Sequence, residues 1–132
     1  MNSCASQNIV PVKVRFLSEL CPPKLLTYAT LGSAGIDLRA CIAESEVTIL
    51  PGARHLFHTG IAVECTMPGI AGFVYSRSGL GTKEGIVVSQ GVGVIDPDYR
   101  GEILVSLLNT SPEPRVITQG QRIAQLVFQP VY

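Results

Sequence analysis

The sequence has little charge, no excess of charge of either sign and no long apolar run. Charged residues make up 15% of the chain, and 10 basic residues balance 10 acidic residues to give a formal net charge of +0. A balanced chain lacks the basic surface with which proteins hold nucleic acid or anionic membranes. No apolar stretch approaches the roughly 20 residues of a membrane span. We therefore expect neither nucleic acid nor a membrane as a partner.

The four cysteines, at positions 4, 21, 41 and 65, carry no metal signature. None belongs to a C-x-x-C pair, and their gaps match no zinc pattern. Their even number would allow two disulfides, but the polar first eight residues contain no apolar run of signal-peptide length. Disulfides persist mainly in oxidising compartments. We therefore expect reduced, mostly buried cysteines and a cytoplasmic protein.

Glycine and proline, by contrast, are plentiful, with 13 and 9 residues. Short apolar runs between turn residues recur roughly every 8–12 residues, which is typical of all-β barrels and jelly rolls. We predict a flexible tail over residues 1–8 and one all-β domain over residues 9–132. At most one short helix is expected, over residues 78–85, with Ser78 at its start and Gly85 at its end. The predicted strands cover residues 10–16, 35–43, 47–50, 54–65 (with a turn at 59–60), 70–75, 102–108 and 123–128.

Residues 93–101, Gly-Val-Ile-Asp-Pro-Asp-Tyr-Arg-Gly, carry more chemistry than a turn requires. Pro97 and Asp98 suit a tight turn between two apolar strands. Asp96 ends the first strand, where it is either the acceptor of an Asx-turn or a general base that orients water. Tyr99 either covers the sheet edge or packs flat on a sugar or base. The segment is therefore a candidate binding or catalytic site.

Residues 76–81, Ser-Arg-Ser-Gly-Leu-Gly, have the composition of a phosphate-binding loop. Arg77 offers a planar donor fork, Ser78 a hydroxyl, and Gly79 lets backbone amides approach an anion. If Ser78 caps a helix, the positive end of that helix faces the same anion. A capped turn with a solvated arginine is the simpler interpretation of this segment alone, because short Gly/Ser motifs often occur without function.

Two further segments place polar residues within apolar strands. Asp37, within residues 33–40, is either a cap or turn acceptor or a charge directed at a metal ion or water. Arg122 and Gln125, within residues 120–126, are three apart and would point to opposite faces of a regular strand. A bend would be needed for both to face one ligand. Taken alone, this last segment is interpreted as mostly structural.

The order and spacing of the four segments resemble the trimeric dUTPase family (dUTP nucleotidohydrolases) in its bacterial type. Ile36 stands where the first motif of that family often has tyrosine, and Ser76 where the second often has proline. The resemblance covers nearly the whole chain and implies a β-clip or distorted jelly-roll barrel that assembles as a homotrimer. The segments similar to its four motifs are residues 27–40, 77–81, 93–101 and 120–126, of which the third is the most specific.

The resemblance implies hydrolysis of dUTP to dUMP and pyrophosphate by water attack at the α-phosphate. This reaction limits uracil in DNA and supplies dUMP for dTMP synthesis. The resemblance also implies sites at subunit interfaces and Mg²⁺ held by the triphosphate and water, without direct protein ligands. By the same resemblance, Asp96 would orient the attacking water, Asp37 would act near the water shell of the metal, and Gln125 would lie near the phosphates or the water.

The substrate contacts are likewise implied by the resemblance. Tyr99 would lie under the deoxyribose and leave no room for a 2′-hydroxyl. The loop over residues 89–94 would read uracil in a hairpin too tight for a thymine methyl. The implied substrate-binding residues are Arg77, Ser78 and Gly79 for the phosphates, and Gln90, Gly93, Val94, Ile95 and Tyr99 for the nucleoside.

One departure from the family concerns the fifth motif, a glycine-rich C-terminal arm that closes over the nucleotide. The chain ends at Tyr132 without such an arm. We expect binding of dUTP with weakened turnover, because lid closure and an arginine on the γ-phosphate can supply orders of magnitude in rate. The alternative is a dUTPase-derived nucleotide-binding or regulatory protein without efficient turnover. A dCTP deaminase is disfavoured, because Ser106 stands where that related family has its catalytic glutamate.

Overall fold

A computed structural model describes residues 9–132, and strands dominate this part of the chain. The all-β prediction, with at most one short helix, is confirmed. No helix within the described residues is long and apolar enough to cross a membrane. The flexible tail predicted over residues 1–8 lies outside the described residues. The strands are β1 (Val12–Phe16), β2 (Ile36–Arg39), β3 (Glu46–Ile49), β4 (Arg54–His58), β5 (Ile61–Cys65), β6 (Ile70–Tyr75), β7 (Ile86–Val88), β8 (Gly93–Ile95), β9 (Leu104–Asn109), β10 (Arg115–Thr118) and β11 (Arg122–Pro130), and a 3-10 turn covers Pro23–Leu25.

The strands pair antiparallel, and most pairs join strands that are distant in the sequence. β2, β11, β6 and β8 form a four-stranded sheet in that order, and β4, β9 and β7 form a three-stranded sheet. β1 pairs with β5, and β10 pairs with β3. Because early strands pair with late ones, the whole described chain encloses one hydrophobic core.

β9 shows how the alternation of side chains builds this core. Val105 and Leu107 point inward with 1% and 0% of their surface exposed, while Leu104 and Ser106 lie on the outer face. Burial of one such aliphatic side chain contributes about 1.5–3 kcal/mol. The inward side chains of the other sheets meet them, namely Leu38, Ile49, Phe57, Val74, Ile86, Ile117, Ile123 and Leu126.

Asn109 is a polar residue that the core accepts because its amide is fully hydrogen-bonded. Its Nδ2 donates to the carbonyls of Ile49 at 2.8 Å and Glu113 at 2.7 Å. Its Oδ1 accepts from the amide of Ser111 at 2.9 Å and from the hydroxyl of the same residue at 2.8 Å. Buried polar groups are tolerated when they are paired in this way. Asn109 thereby ties β3, β9 and the loop over residues 110–114 together.

The predicted short helix is reduced to a single π-helical turn, Leu80–Glu84. Gly85 ends this turn with a φ of 70°, as predicted, because glycine adopts the left-handed conformation without steric cost. No side chain caps the turn, so the predicted Ser78 cap is wrong. The physical reason is that the amide of Gly81 already donates to the carbonyl of Arg77 at 2.9 Å.

The described cysteines are free thiols. Cys21 and Cys41 are buried, as predicted, and Cys65 is half-buried. Burial, with Cys41 beside it, raises the pKa of Cys21 to about 11. A thiol with so high a pKa stays protonated at neutral pH and packs as a small apolar group. Cys4 lies outside the described residues.

Candidate active site

Asp37, on β2, is held between two arginine side chains. Its side chain is 10% exposed; the Nε of Arg77 lies 3.1 Å from Oδ1, and Nη1 of Arg122 lies 3.5 Å from Oδ2. A carboxylate at this depth requires partners, because an unpaired buried charge is costly. Three of the four sequence segments therefore meet in one cluster, which we call the arginine clamp (Asp37, Arg77 and Arg122).

A β-bulge in β11 brings Arg122 to this clamp. The register between β2 and β11 shifts between Arg122 and Ala124, so that Ile123 is an extra residue. One extra residue changes which face the neighbouring side chains point to. Arg122 and Gln125 consequently lie on the same face of β11, where Arg122 reaches the Asp37 carboxylate and Gln125 pairs with Asp37 across the ladder. The bend that both residues need in order to face one ligand is present.

Gln125 fixes the backbone just before Arg77. Its Nε2 donates to the carbonyl of Ser76 at 3.2 Å, and it pairs with Tyr75 across β11 and β6. Arg77 is therefore restrained at its backbone by Gln125 and at its guanidinium by Asp37. A restrained arginine is better prepared to receive a ligand than a freely rotating one.

Arg77 also borders a groove of about 500 Å³ that we call the cationic groove. Gly79 contributes to its wall, and Ser78 is exposed next to it in the sequence. A concave surface with an excess of positive charge favours an anionic ligand. The charged lining consists of four cationic side chains and one carboxylate, namely Arg39, Arg77, Lys83, Arg122 and Glu84.

A second cavity, of about 210 Å³, lies at the connection from β7 to β8, where a hairpin is predicted, and we call it the hairpin pocket. β7 and β8 pair with strands of different sheets, so this connection is a loop and not a paired hairpin. Much of its remaining lining is apolar and comes from β6, β7 and β9. A largely apolar cavity with a few polar groups is the usual form of a small-molecule site. The pocket brings together six residues that the sequence singles out, namely Gln90, Gly93, Val94, Ile95, Asp96 and Tyr99.

The turn after β8 places Asp96, but not Asp98, at the hairpin pocket. The amide of Tyr99 donates to the carbonyl of Asp96 at 3.0 Å, which closes a β-turn with Pro97 and Asp98 at its centre. Asp96 is exposed, and nothing within residues 9–132 hydrogen-bonds to its carboxylate. The Asx-turn alternative is therefore not what the chain adopts. That carboxylate is thus available to a ligand or water.

Glu102, which the sequence does not single out, holds Tyr99 in place. The hydroxyl of Tyr99 donates to the carbonyl of Glu102 at 2.7 Å. The Glu102 carboxylate accepts from the amide of Gly60 at 2.9 Å and lies 2.9 Å from Nδ1 of His58. The ring of Tyr99 is thereby tied to the turn between β4 and β5. The only signal in the sequence is a charged residue between Gly101 and the apolar run of β9.

The arginine clamp and the hairpin pocket are separate within one chain. β2 and β8 are the two edges of the four-stranded sheet, and strands about 4.8 Å apart place these edges roughly 14 Å from each other. Asp37 and Ile95 are also offset by roughly 10 Å along the strands, since their ladders meet β6 at Tyr75 and Gly72. Asp96 therefore does not meet the clamp, and the predicted site residues fall into two groups.

A family model described as dUTPase matches residues 22–132. The chain belongs to the dUTPase family. The deoxyuridine 5′-triphosphate nucleotidohydrolase of Desulfitobacterium hafniense (strain DSM 10664 / DCB-2) is 48% identical over 125 residues, which cover 95% of this chain and 82% of that protein. The resemblance seen in the four sequence motifs is thus confirmed.

Solved dUTPase structures share this fold. The crystal structure of dUTPase from Streptococcus mutans aligns with a TM-score of 0.78 and 28% identity, covering 90% of this chain and 95% of that chain. A mutant dUTPase from phage phi11 of S. aureus, described with a structural Mg(II) ion, aligns with a TM-score of 0.77 and 25% identity, covering 92% of both chains. The predicted jelly-roll class is therefore confirmed.

Within residues 9–132, the side chains of this chain form no direct metal site. The part of the chain that the structure describes has no group of three or more His, Cys, Asp or Glu residues that could hold a metal ion. Each carboxylate oxygen of Asp37 already faces a guanidinium. Magnesium takes oxygen ligands and usually keeps several waters. The residues present therefore fit a magnesium ion whose ligands come from phosphates and water.

Proposed function

We propose that this member of the dUTPase family hydrolyses dUTP to dUMP and pyrophosphate by attack of water at the α-phosphate. The observation that carries the proposal is the hairpin pocket, which Asp96 and Tyr99 line together with Gln90. Its volume of about 210 Å³ lies below the roughly 300–1,000 Å³ of sites for drug-sized ligands. The pocket therefore suits a single ring with its sugar outside. The reaction would limit uracil in DNA and supply dUMP for dTMP synthesis.

In this proposal the uracil ring occupies the hairpin pocket. Gln90 and the backbone groups of residues 89–94 read its polar edges, and the close approach of this loop excludes the methyl group of thymine. Tyr99 lies under the deoxyribose. Its hydroxyl is engaged by Glu102, so the ring is held in one position and opposes a 2′-hydroxyl. Selectivity for deoxyuridine would thus depend on groups that are fixed before the ligand arrives.

The arginine clamp and the cationic groove would receive the triphosphate. Arg77 supplies its guanidinium, Ser78 its hydroxyl and Gly79 its amide, with Gln125 nearby. Attack at a phosphorus among several negative charges requires donors and cations that offset the developing charge. Asp96 would orient the water and accept its proton while the water oxygen bonds to the α-phosphorus and pyrophosphate leaves.

Magnesium is the proposed cofactor. The structural Mg(II) ion described for the phage phi11 dUTPase supports this choice. The described side chains form no cluster of metal ligands, which fits an ion bound by phosphate oxygens and water. When bound, it would neutralise part of the triphosphate charge. No side chain is proposed as a direct ligand, and the resemblance assigns Asp37 only to the surrounding water shell.

We further propose that each site forms between subunits of a homotrimer, because the two groups of residues are separate within one chain. The hairpin pocket of one subunit would face the arginine clamp of another, which brings Asp96 towards the phosphates. The cytoplasmic location stays a prediction. The regulatory alternative would gain support from a protein that binds dUTP without releasing pyrophosphate.

Release of pyrophosphate from dUTP tests the proposal, with Asp96→Asn as the diagnostic variant. Asparagine keeps the size of the side chain but accepts no proton, and a positioned general base contributes roughly 10²–10⁴-fold to the rate. We expect kcat to fall by about that factor while the affinity for dUMP is retained. Asp98→Asn, with the same charge change in the same turn, is the control and should keep the unaltered turnover.

Two results would count against this assignment. An unchanged kcat in Asp96→Asn would refute the catalytic role of Asp96. Absence of pyrophosphate release by the unaltered protein would refute the function itself.

A further inference from the structure

Arg77 contacts Asp37 through one edge of its guanidinium. The Nε of Arg77 donates to Oδ1 of Asp37 at 3.1 Å, and the arginine side chain remains 31% exposed. A guanidinium carries five N–H donors in a planar fork, so the donors on Nη1 and Nη2 stay free of this contact. Asp37 therefore orients Arg77 at the border of the cationic groove without using up its capacity to bind.

Arg122 engages the other oxygen of the same carboxylate. Its Nη1 lies 3.5 Å from Oδ2, the oxygen that Arg77 does not use. With both oxygens engaged, the Asp37 carboxylate cannot rotate without losing a partner. Arg122 is 44% exposed, and ion pairs near the surface contribute little to stability. The bulge places Ile123 in the core and Arg122 beside Asp37, and it is the position of Arg122 that core packing leaves unexplained.

We propose that Arg122 and Asp37 are positioning residues for Arg77 in dUTP hydrolysis. Arg122 holds Asp37, Asp37 holds the Nε edge of Arg77, and Arg77 presents its remaining donors to the phosphate oxygens. The inference rests on the proposed function, in which Arg77 binds phosphates. It assigns Asp37 to phosphate binding through Arg77 instead of to the water shell of a metal ion. Orienting a flexible side chain before the ligand arrives lowers the entropic cost of binding.

Affinity for dUTP measured in EDTA and in Mg²⁺ distinguishes two roles of Asp37, positioning of Arg77 and contact with the water shell of the metal ion. We expect Arg122→Gln and Asp37→Asn to weaken dUTP binding by a similar factor in both conditions, about 10-fold, the scale of one charged hydrogen bond. Deoxyuridine, which has no phosphates, should bind both variants as it binds the unaltered protein. Arg54→Gln removes an exposed arginine of β4 with the same charge change and should leave dUTP binding unchanged.

A double variant tests whether Arg122 acts through Arg77. Arg77→Gln combined with Arg122→Gln should bind dUTP no more weakly than Arg77→Gln alone, because residues in one chain of contacts do not act additively. Arg122→Lys keeps the charge but lacks the planar fork. Arg122→Lys should lose less affinity for dUTP than Arg122→Gln, again by a similar factor in EDTA and in Mg²⁺. It replaces Arg122→Gln in these comparisons if that variant does not fold.

Three results would overturn the proposal: additive losses in the double variant, a loss that appears only with Mg²⁺, or an equal loss for deoxyuridine. An unaltered protein that hydrolyses dUTP, together with an Arg122→Gln variant that behaves like Arg54→Gln, would refute this inference and leave the proposed function intact. An unaltered protein that does not hydrolyse dUTP would instead refute the proposed function.

Discussion

The close contact between Gly101 and Tyr99 predicts a large effect from one added methyl group. In Gly101→Ala the new Cβ would lie 2.7 Å from the hydroxyl oxygen of Tyr99 and 2.8 Å from its Cζ. Ordinary contact begins near 3.4 Å, so the phenol must retreat by roughly 0.7 Å. Tyr99 is 42% exposed and can swing outward without disturbing the core. We therefore expect a folded protein with a displaced ring.

The displacement removes the hydrogen bond that holds the ring. The Tyr99 hydroxyl lies 2.7 Å from the carbonyl of Glu102, and a further 0.7 Å or so exceeds the roughly 2.5–3.0 Å range of such bonds. The net loss is about 0.5–1.5 kcal/mol, or roughly 2–6 °C in Tm for a domain of this size. Catalysis should suffer more, because a shift of about 1 Å in a positioned group can cost about 10²-fold.

Pyrophosphate release with dUTP and with UTP measures the functional effect. We expect kcat/KM for dUTP to fall by on the order of 10-fold or more, and selectivity for dUTP over UTP to fall with it. Gly32→Ala is the control, because a Cβ there meets no atom within 4 Å. Tyr99→Phe removes the same hydrogen bond, so its stability loss should not add to that of Gly101→Ala. Equal selectivity in Gly101→Ala and Gly32→Ala would refute the reasoning.

Two further predictions concern stability. Asn109→Leu should destabilise the fold by about 3 kcal/mol, because leucine leaves the carbonyls of Ile49 and Glu113 without their donor. Urea denaturation measures this loss as a lower midpoint at constant m-value. A loss below about 0.5 kcal/mol would contradict the prediction. The pKa of Cys21 is raised from 9.0 to about 11, mainly by burial, so the folded state keeps a proton that the unfolded state releases above pH 9. Its contribution to stability should be constant below pH 9 and fall by up to about 1.4 kcal/mol per pH unit between pH 9 and 11. Cys21→Ala should lose this component, and identical pH slopes in the two proteins would refute it.

The chemistry of the turn after β8 is predictable from the sequence because its signals are local. Pro97 and Asp98 suit the centre of a β-turn, which leaves Asp96 and Tyr99 for other roles, and the structure has this arrangement. The all-β class follows in the same way from short apolar runs. β7 and β10 escape prediction because three or four residues show no clear alternation.

The arginine clamp escapes prediction because it depends on pairing between distant strands. Regular alternation places Arg122 and Gln125 on opposite faces, and only the register with β2 reveals the bulge. Glu102 likewise meets Gly60, which is 42 residues away in the sequence. Such contacts are set by packing and not by local preference. The predicted Ser78 cap is wrong for the converse reason. A local capping rule does not take into account that the carbonyl of Arg77 already accepts a hydrogen bond from the amide of Gly81.

The extra residue at Ile123 also bears on how this chain tolerates changes of length. Deletion of Ile123 would restore an unbroken ladder between β2 and β11. Arg122 and Gln125 would then be two residues apart in a regular strand and would still point to the same face. The deletion would, however, remove the side chain of Ile123, which is buried in the core with 1% of its surface exposed. Loss of this single codon should therefore weaken the core more than it disturbs the face on which Arg122 lies.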